Sequence, residues 1–147
     1  MITCQGNVGS GWGFAVDNIY LKALGRAVWA FALLEWNAVW CCELLEPNYM
    51  HKRGRRGPVR TSDHIADDLI SLLTNPSDPH IGSDWLLAAQ EFKRLVKVRN
   101  SIFHGQPGST PTGEQRLFRE GIPWTPETVD NAVAEFEACS HILRGYP

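Results

Sequence analysis

The residues best suited to chemistry are Arg99, Asn100 and His104, which close a polar helical segment just before Gly105. An imidazole can take or give a proton near neutral pH, a guanidinium can grip an anion through parallel N–H bonds, and an amide can orient an oxygen. Lys93 and Lys97 continue the series upstream, because positions 93, 97, 100 and 104 follow the three-and-four spacing that aligns side chains on one helical face. A basic stripe ending in imidazole suits cleavage of a phosphodiester by acid–base chemistry without a metal. Lysines hold the phosphate, Asn100 orients a substrate oxygen or the imidazole, and His104 moves protons.

Arg99 belongs to the opposite stripe of the same helix. At roughly 100° per residue it lines up with Trp85, Ala88, Phe92, Leu95 and Ile102, about 140° away from His104. An arginine among core positions needs an acid or a bound anion to offset its desolvation. Glu35, four residues after Phe31 and seven after Val28, also interrupts an apolar stripe and is the expected ion-pair partner.

A second cationic group, Lys52, Arg53, Arg55, Arg56 and Arg60, falls in the glycine-interrupted segment 51–60, read as a loop that could clamp an RNA backbone through its phosphates. Asp63, His64, Asp67 and Asp68 have spacing that could hold a divalent metal. Acids in a helix's first turn are favoured by its dipole alone, and no second acid–histidine helix completes a site, so neither metal nor other cofactor is expected. Cys4, Cys41, Cys42 and Cys139 lack any C-x-x-C pairing and read as reduced thiols, mostly in the core.

Four helices must position these groups. The first is capped by Asp17 or Asn18 and runs to about Glu46, where Pro47 stops it. Trp29, Phe31, Trp36 and Trp40 spread around it suggest a central helix buried on nearly every side. The second starts at Thr61 or Ser62 and ends before Pro76. The third runs from a Ser83 cap to about His104, with Gly105 as a left-handed C-cap, and the fourth starts at Thr125-Pro126-Glu127 and reaches about Arg144. Val129, Ala132, Val133, Phe136, Cys139 and Leu143 form its buried face. Between the third and fourth, Gln115–Phe118 and Ile122–Trp124 flank Glu120-Gly121 and can make a short β-hairpin. The fold class is therefore all-α, an antiparallel four-helix bundle with short or medium connections, forming one domain over residues 1–147.

A net charge of −2 and a pI near 6.2 exclude a globally basic nucleic-acid binder and leave only local basic surfaces. Hydrophobicity peaks over residues 23–45, but Arg26, Glu35 and Glu43 interrupt it, so no membrane helix is expected. The N-terminal residues do not read as a secretory signal, which makes the cytoplasm the expected compartment.

Arg99-Asn100, three intervening residues and His104, at the end of the third helix of such a bundle, resemble the R-N-x-x-x-H signature of HEPN domains. The flanking Val98–Gly105 segment is similar to that family's pattern of apolar, Arg-Asn, apolar, His-Gly. The resemblance implies a four-helix bundle of HEPN type and a metal-independent endoribonuclease whose two motifs meet across a homodimer. His104 would act as general base or acid, Arg99 would stabilise charge developing on the phosphorus, and Asn100 would position the histidine or the phosphate. Attack by the 2′-hydroxyl excludes DNA as substrate. Small stand-alone domains of this kind imply a toxin or anti-phage defence effector with an antitoxin or regulatory protein. Gln106 stands where one toxin subfamily carries a tyrosine, so control by nucleotide transfer is not implied. The alternative is a non-catalytic helical interaction or RNA-binding module that keeps the motif as a structural element.

Overall fold

The computed structural model describes residues 16–54, 61–78 and 80–145. Asp17 caps α1, Asn18–Leu45, by accepting from the Tyr20 N–H, and the chain turns at Asn48 with φ 73°, a conformation asparagine tolerates. A short α2, Tyr49–Gly54, follows, so the start of the basic segment is helical rather than loop. Thr61 caps α3, Ser62–Thr74, and α4 runs Ser83–Phe103 with Gly82, not Ser83, at its N-cap. Thr125 and Thr128 form a reciprocal capping box on α5, Pro126–Arg144.

Three strands, β1 (Gln106–Ser109), β2 (Gln115–Arg119) and β3 (Ile122–Trp124), form an antiparallel sheet in the order β1-β2-β3. The expected hairpin is β2–β3, joined through Glu120 (φ 51°) and Gly121 (φ 78°), the two positive values that a tight twisted turn requires. The sheet is tied to both neighbouring helices. The Leu117 N–H donates to the Tyr20 hydroxyl at 3.0 Å, Arg116 lies over the Tyr20 ring and pairs with Asp17, and Trp124 Nε1 donates to Ser101 Oγ at 3.3 Å.

The helices do not form an all-antiparallel bundle. Arg26 meets Asp130, Asn37 meets Ser140 and Cys41 meets Leu143, pairs that ascend together, so α1 and α5 run in the same direction. α4 opposes α5, with Cys139 on Ala88 and Arg94 on Glu135. The crossover lies between α1 and α3, where Glu35 meets Ser62 and the Tyr49 hydroxyl of α2 meets Asp68, while the sheet occupies the turn-round between α4 and α5 at the end where α1 begins.

Phe31, Phe92 and Phe136 meet at the centre of the core, the Phe31–Phe136 pair edge-to-face at 5.2 Å. Trp85, Ala88, Phe92, Leu95 and Ile102 of α4 and all six expected residues of α5 are buried. Cys41, Cys42 and Cys139 are buried thiols, each pushed up to about 12 by desolvation. The tryptophans of α1 overturn the expectation of a helix buried all round. Phe31 is buried, but Trp29, Trp36 and Trp40 are 74%, 48% and 46% exposed. The small residues Ala23, Ala27, Ala30 and Ala38 face inward and let α1 pack closely, leaving the large aromatics on its outer face. By length and composition α1 would suffice to cross a bilayer, yet it packs against α3, α4 and α5.

Candidate functional site

α4 presents the motif in two parts. Arg99 is half-buried, with its guanidinium 5.2 Å from the Phe31 ring centroid and 5.6 Å from that of Phe103. It donates from Nη1 to Asn100 Oδ1 at 2.9 Å, while its buried Nε finds no acceptor. The expected ion pair with Glu35 is not made. Glu35 instead accepts from Ser62 Oγ on α3, and Arg99 is held by aromatic faces and a neighbouring amide. Cation–aromatic contact offsets desolvation without a second charge, a solution that an apolar stripe on a helical wheel does not reveal.

Asn100 is likewise part-buried, and its bond to Arg99 fixes the amide with oxygen inward, which leaves Nδ2 as the donor it can offer. Its link to His104 runs through the backbone, where the His104 N–H donates to the Asn100 carbonyl at 2.9 Å. His104 itself is exposed at the C-terminal end of α4. It lines an open cleft of about 340 Å³ with Gln106, Phe118, Arg119, Glu120 and Gly121. Arg99 does not line that cleft, so one chain separates the guanidinium from the imidazole, as the wheel angle implies.

Gly105 sets the width of this corner, though not by a left-handed conformation. Its φ lies outside that region, and a Cβ here would stand 2.9 Å from Leu117 Cβ and 3.0 Å from the Ile102 carbonyl oxygen. Glycine is required because the β2 strand crosses directly over the end of α4. That crossing brings Arg119 and Glu120 to His104.

Lys93 and Lys97 do not act as an open pair. Lys93 pairs with Asp67 of α3, whose carboxylate holds the ammonium above its ordinary range, whereas Lys97 is exposed. Asp67 is thereby occupied, Asp68 accepts from the Tyr49 hydroxyl, and the His64 ring meets Thr61 Oγ1. Among the described residues no three His, Cys, Asp or Glu side chains gather as a metal set. Of the basic segment, Lys52 and Arg53 fall in α2 with side chains outside the described part; Arg55, Arg56 and Arg60 lie outside the described residues altogether.

Arg119 is the residue that sequence reasoning missed. Its only signal is register: a two-residue turn at Glu120-Gly121 makes Arg119 the last residue of β2, opposite Ile122. Nothing in the sequence shows that this strand end meets His104.

No protein-family model, curated protein or solved structure matches this chain.

Proposed function

We propose that the chain is a HEPN-like, metal-independent endoribonuclease in which His104 moves the proton and Arg119 holds the phosphate. The observation that carries this reading is the exposed imidazole at the end of an Arg-Asn-x-x-x-His helix, opening on a cleft that also presents a guanidinium. The RNA 2′-hydroxyl attacks phosphorus as its proton passes to a neutral imidazole. The P–O5′ bond breaks, a protonated imidazole supplies the proton to the departing 5′-oxygen, and the products are a 2′,3′-cyclic phosphate and a 5′-hydroxyl. General acid–base catalysis of this kind contributes about 10²–10⁴-fold.

Asn100 Nδ2 and the free edge of the Arg99 guanidinium stabilise the equatorial oxygens when a second copy brings its own motif to the cleft. The HEPN four-helix arrangement and this composite homodimer belong to the same proposal, as do a cytoplasmic setting and a toxin or defence role restrained by a regulatory protein. Lys52, Arg53, Arg55, Arg56 and Arg60 would supply sequence-independent RNA contacts, so neutralising Arg53, Arg55 and Arg56 flattens the salt dependence of binding. The direct test is end-group analysis of RNA after incubation with the protein. Cyclic phosphate ends that disappear with His104→Ala support the reading; 3′-hydroxyl ends refute it.

A second reading has its own observation. Arg99 is packed between Phe31 and Phe103, a structural use of the motif's arginine that a non-catalytic helical interaction module would also need. In that case Arg99→Ala lowers stability and no variant changes RNA cleavage, because there is none.

A further inference from the structure

The outer face of α1 is apolar along most of its length. Trp29, Leu33, Trp36, Trp40 and Leu44 are all exposed, and Trp36 and Trp40 pack edge-to-face at 6.0 Å, which fixes two indoles against each other before any partner arrives. These five fall within about 80° of the helix circumference over about 22 Å, and with exposed Leu21 the strip reaches about 140° and about 35 Å. A contiguous apolar strip of this extent marks an interaction site.

The order of residues along the strip identifies the occupant. If a second copy of α1 lies antiparallel on the first, the exposed apolar residues of the strip meet complements when the two positions sum to 65. Trp29 then faces Trp36, and Leu21 faces Leu44. Trp40 faces Gly25, which is exposed and has nothing within 4 Å of where a Cβ would stand, so the indole enters a notch. Lys22, exposed, faces Glu43, half-buried, whose carboxylate accepts from the Asn48 and Met50 N–H groups. The centre falls between Ala32 and Leu33. A parallel or shifted pairing opposes Lys22 to Lys22 or loses the Gly25 notch. We propose that this face of α1 is an isologous docking surface for a second copy of this chain, packed antiparallel about the Ala32–Leu33 position.

The pairing does not rest on the ribonuclease reading. Phe31, which bears on Arg99, is on the opposite side of α1 from Trp40, nine residues and about 180° away. Docking here leaves the Phe31–Arg99 contact untouched.

The test is site-specific disulfide formation in a Cys4→Ser background, with sedimentation of the unmodified protein alongside. Leu33→Cys sits within about 2 Å, along the axis, of its own counterpart, whereas Leu44→Cys sits about 35 Å from its counterpart. The expected result is a concentration-dependent dimer, rapid oxidation of Leu33→Cys to a covalent dimer, and little or none for Leu44→Cys. Trp36→Glu should weaken dimerisation by at least about 30-fold while the far-UV spectrum is kept, since Trp36 is exposed. A monomer at all concentrations, a dimer indifferent to Trp36→Glu, or equal crosslinking at both positions overturns the proposal. So does a monomer that binds phospholipid vesicles through these tryptophans.

Discussion

Gly105→Ala opposes two effects of known sign at the corner that holds His104. The backbone at Gly105 lies outside the left-handed region, so alanine restricts the unfolded chain without local strain and by itself would stabilise by about 0.4–1 kcal/mol. Against this, the new methyl would be placed 2.9 Å from Leu117 Cβ and 3.0 Å from the Ile102 carbonyl oxygen. Neither contact is the tip of a flexible side chain. Leu117 is held by its N–H on the Tyr20 hydroxyl, and the Ile102 carbonyl accepts from the Gly105 N–H at 3.1 Å, so relief requires the β2 strand to move off α4. Overpacking of this kind costs about 1–3 kcal/mol. The net runs from about 0 to about 2.6 kcal/mol, with the centres of the two ranges giving a loss of about 1.3 kcal/mol, which for a domain of this size lowers Tm by roughly 4 °C. Thermal unfolding followed by circular dichroism measures it, and His104 should show a changed environment by NMR because Phe118 and Arg119 move with the strand. An unchanged or raised Tm would refute the close-approach argument and make Gly105 merely permissive.

Other consequences follow from the packing and the cleft. Phe92→Ala removes a fully buried ring that contacts Phe31 and should cost about 3–5 kcal/mol by urea unfolding, against less than about 0.5 for Trp29→Ala, which is exposed in the monomer. Burial raises the Cys41, Cys42 and Cys139 thiols from 9.0 to about 12, so the folded state favours their neutral form. That contribution is complete below pH 9 and is lost as pH rises from about 9 to about 12, by up to about 1.4 kcal/mol per pH unit per thiol. Urea midpoints at pH 8 and pH 10.5 check the fall, which should shrink in Cys139→Ala. In the cleft, Arg119→Ala should weaken RNA binding and reduce its salt slope by about one, while Glu120→Gln, removing a carboxylate from beside the phosphate site, should strengthen it.

Helix boundaries were legible wherever a capping side chain met an amphipathic stripe. Asp17, Thr61 and Thr125 each cap a helix where the sequence places one, and the inward face of α5 is the expected one. The hairpin at Glu120-Gly121 was legible from its turn, whereas β1 was not, because Gln106-Pro107-Gly108-Ser109 has no apolar alternation and its proline fits only an edge strand. α2 is a single glycine-ended turn and a half with no stripe to detect. The α1 tryptophans misled for a physical reason: indoles favour burial on average, but four inward alanines allow the closer packing, and composition cannot say which face meets the core. Arg99 and His104 were correctly placed on different sides of α4. The aromatic support of Arg99 and the approach of Arg119 depend on tertiary register, which no local pattern encodes.

The proposed activity is tested most directly by incubating single-stranded RNA with the wild-type protein and with His104→Ala in excess EDTA, following the rate of backbone cleavage. His104 is exposed, so the variant should unfold at the wild-type temperature. The wild type should cleave RNA but not DNA, undiminished by chelator, and His104→Ala should be slower by at least about 100-fold. Cleavage abolished by EDTA, or retained at the wild-type rate without the imidazole, would contradict the proposed activity.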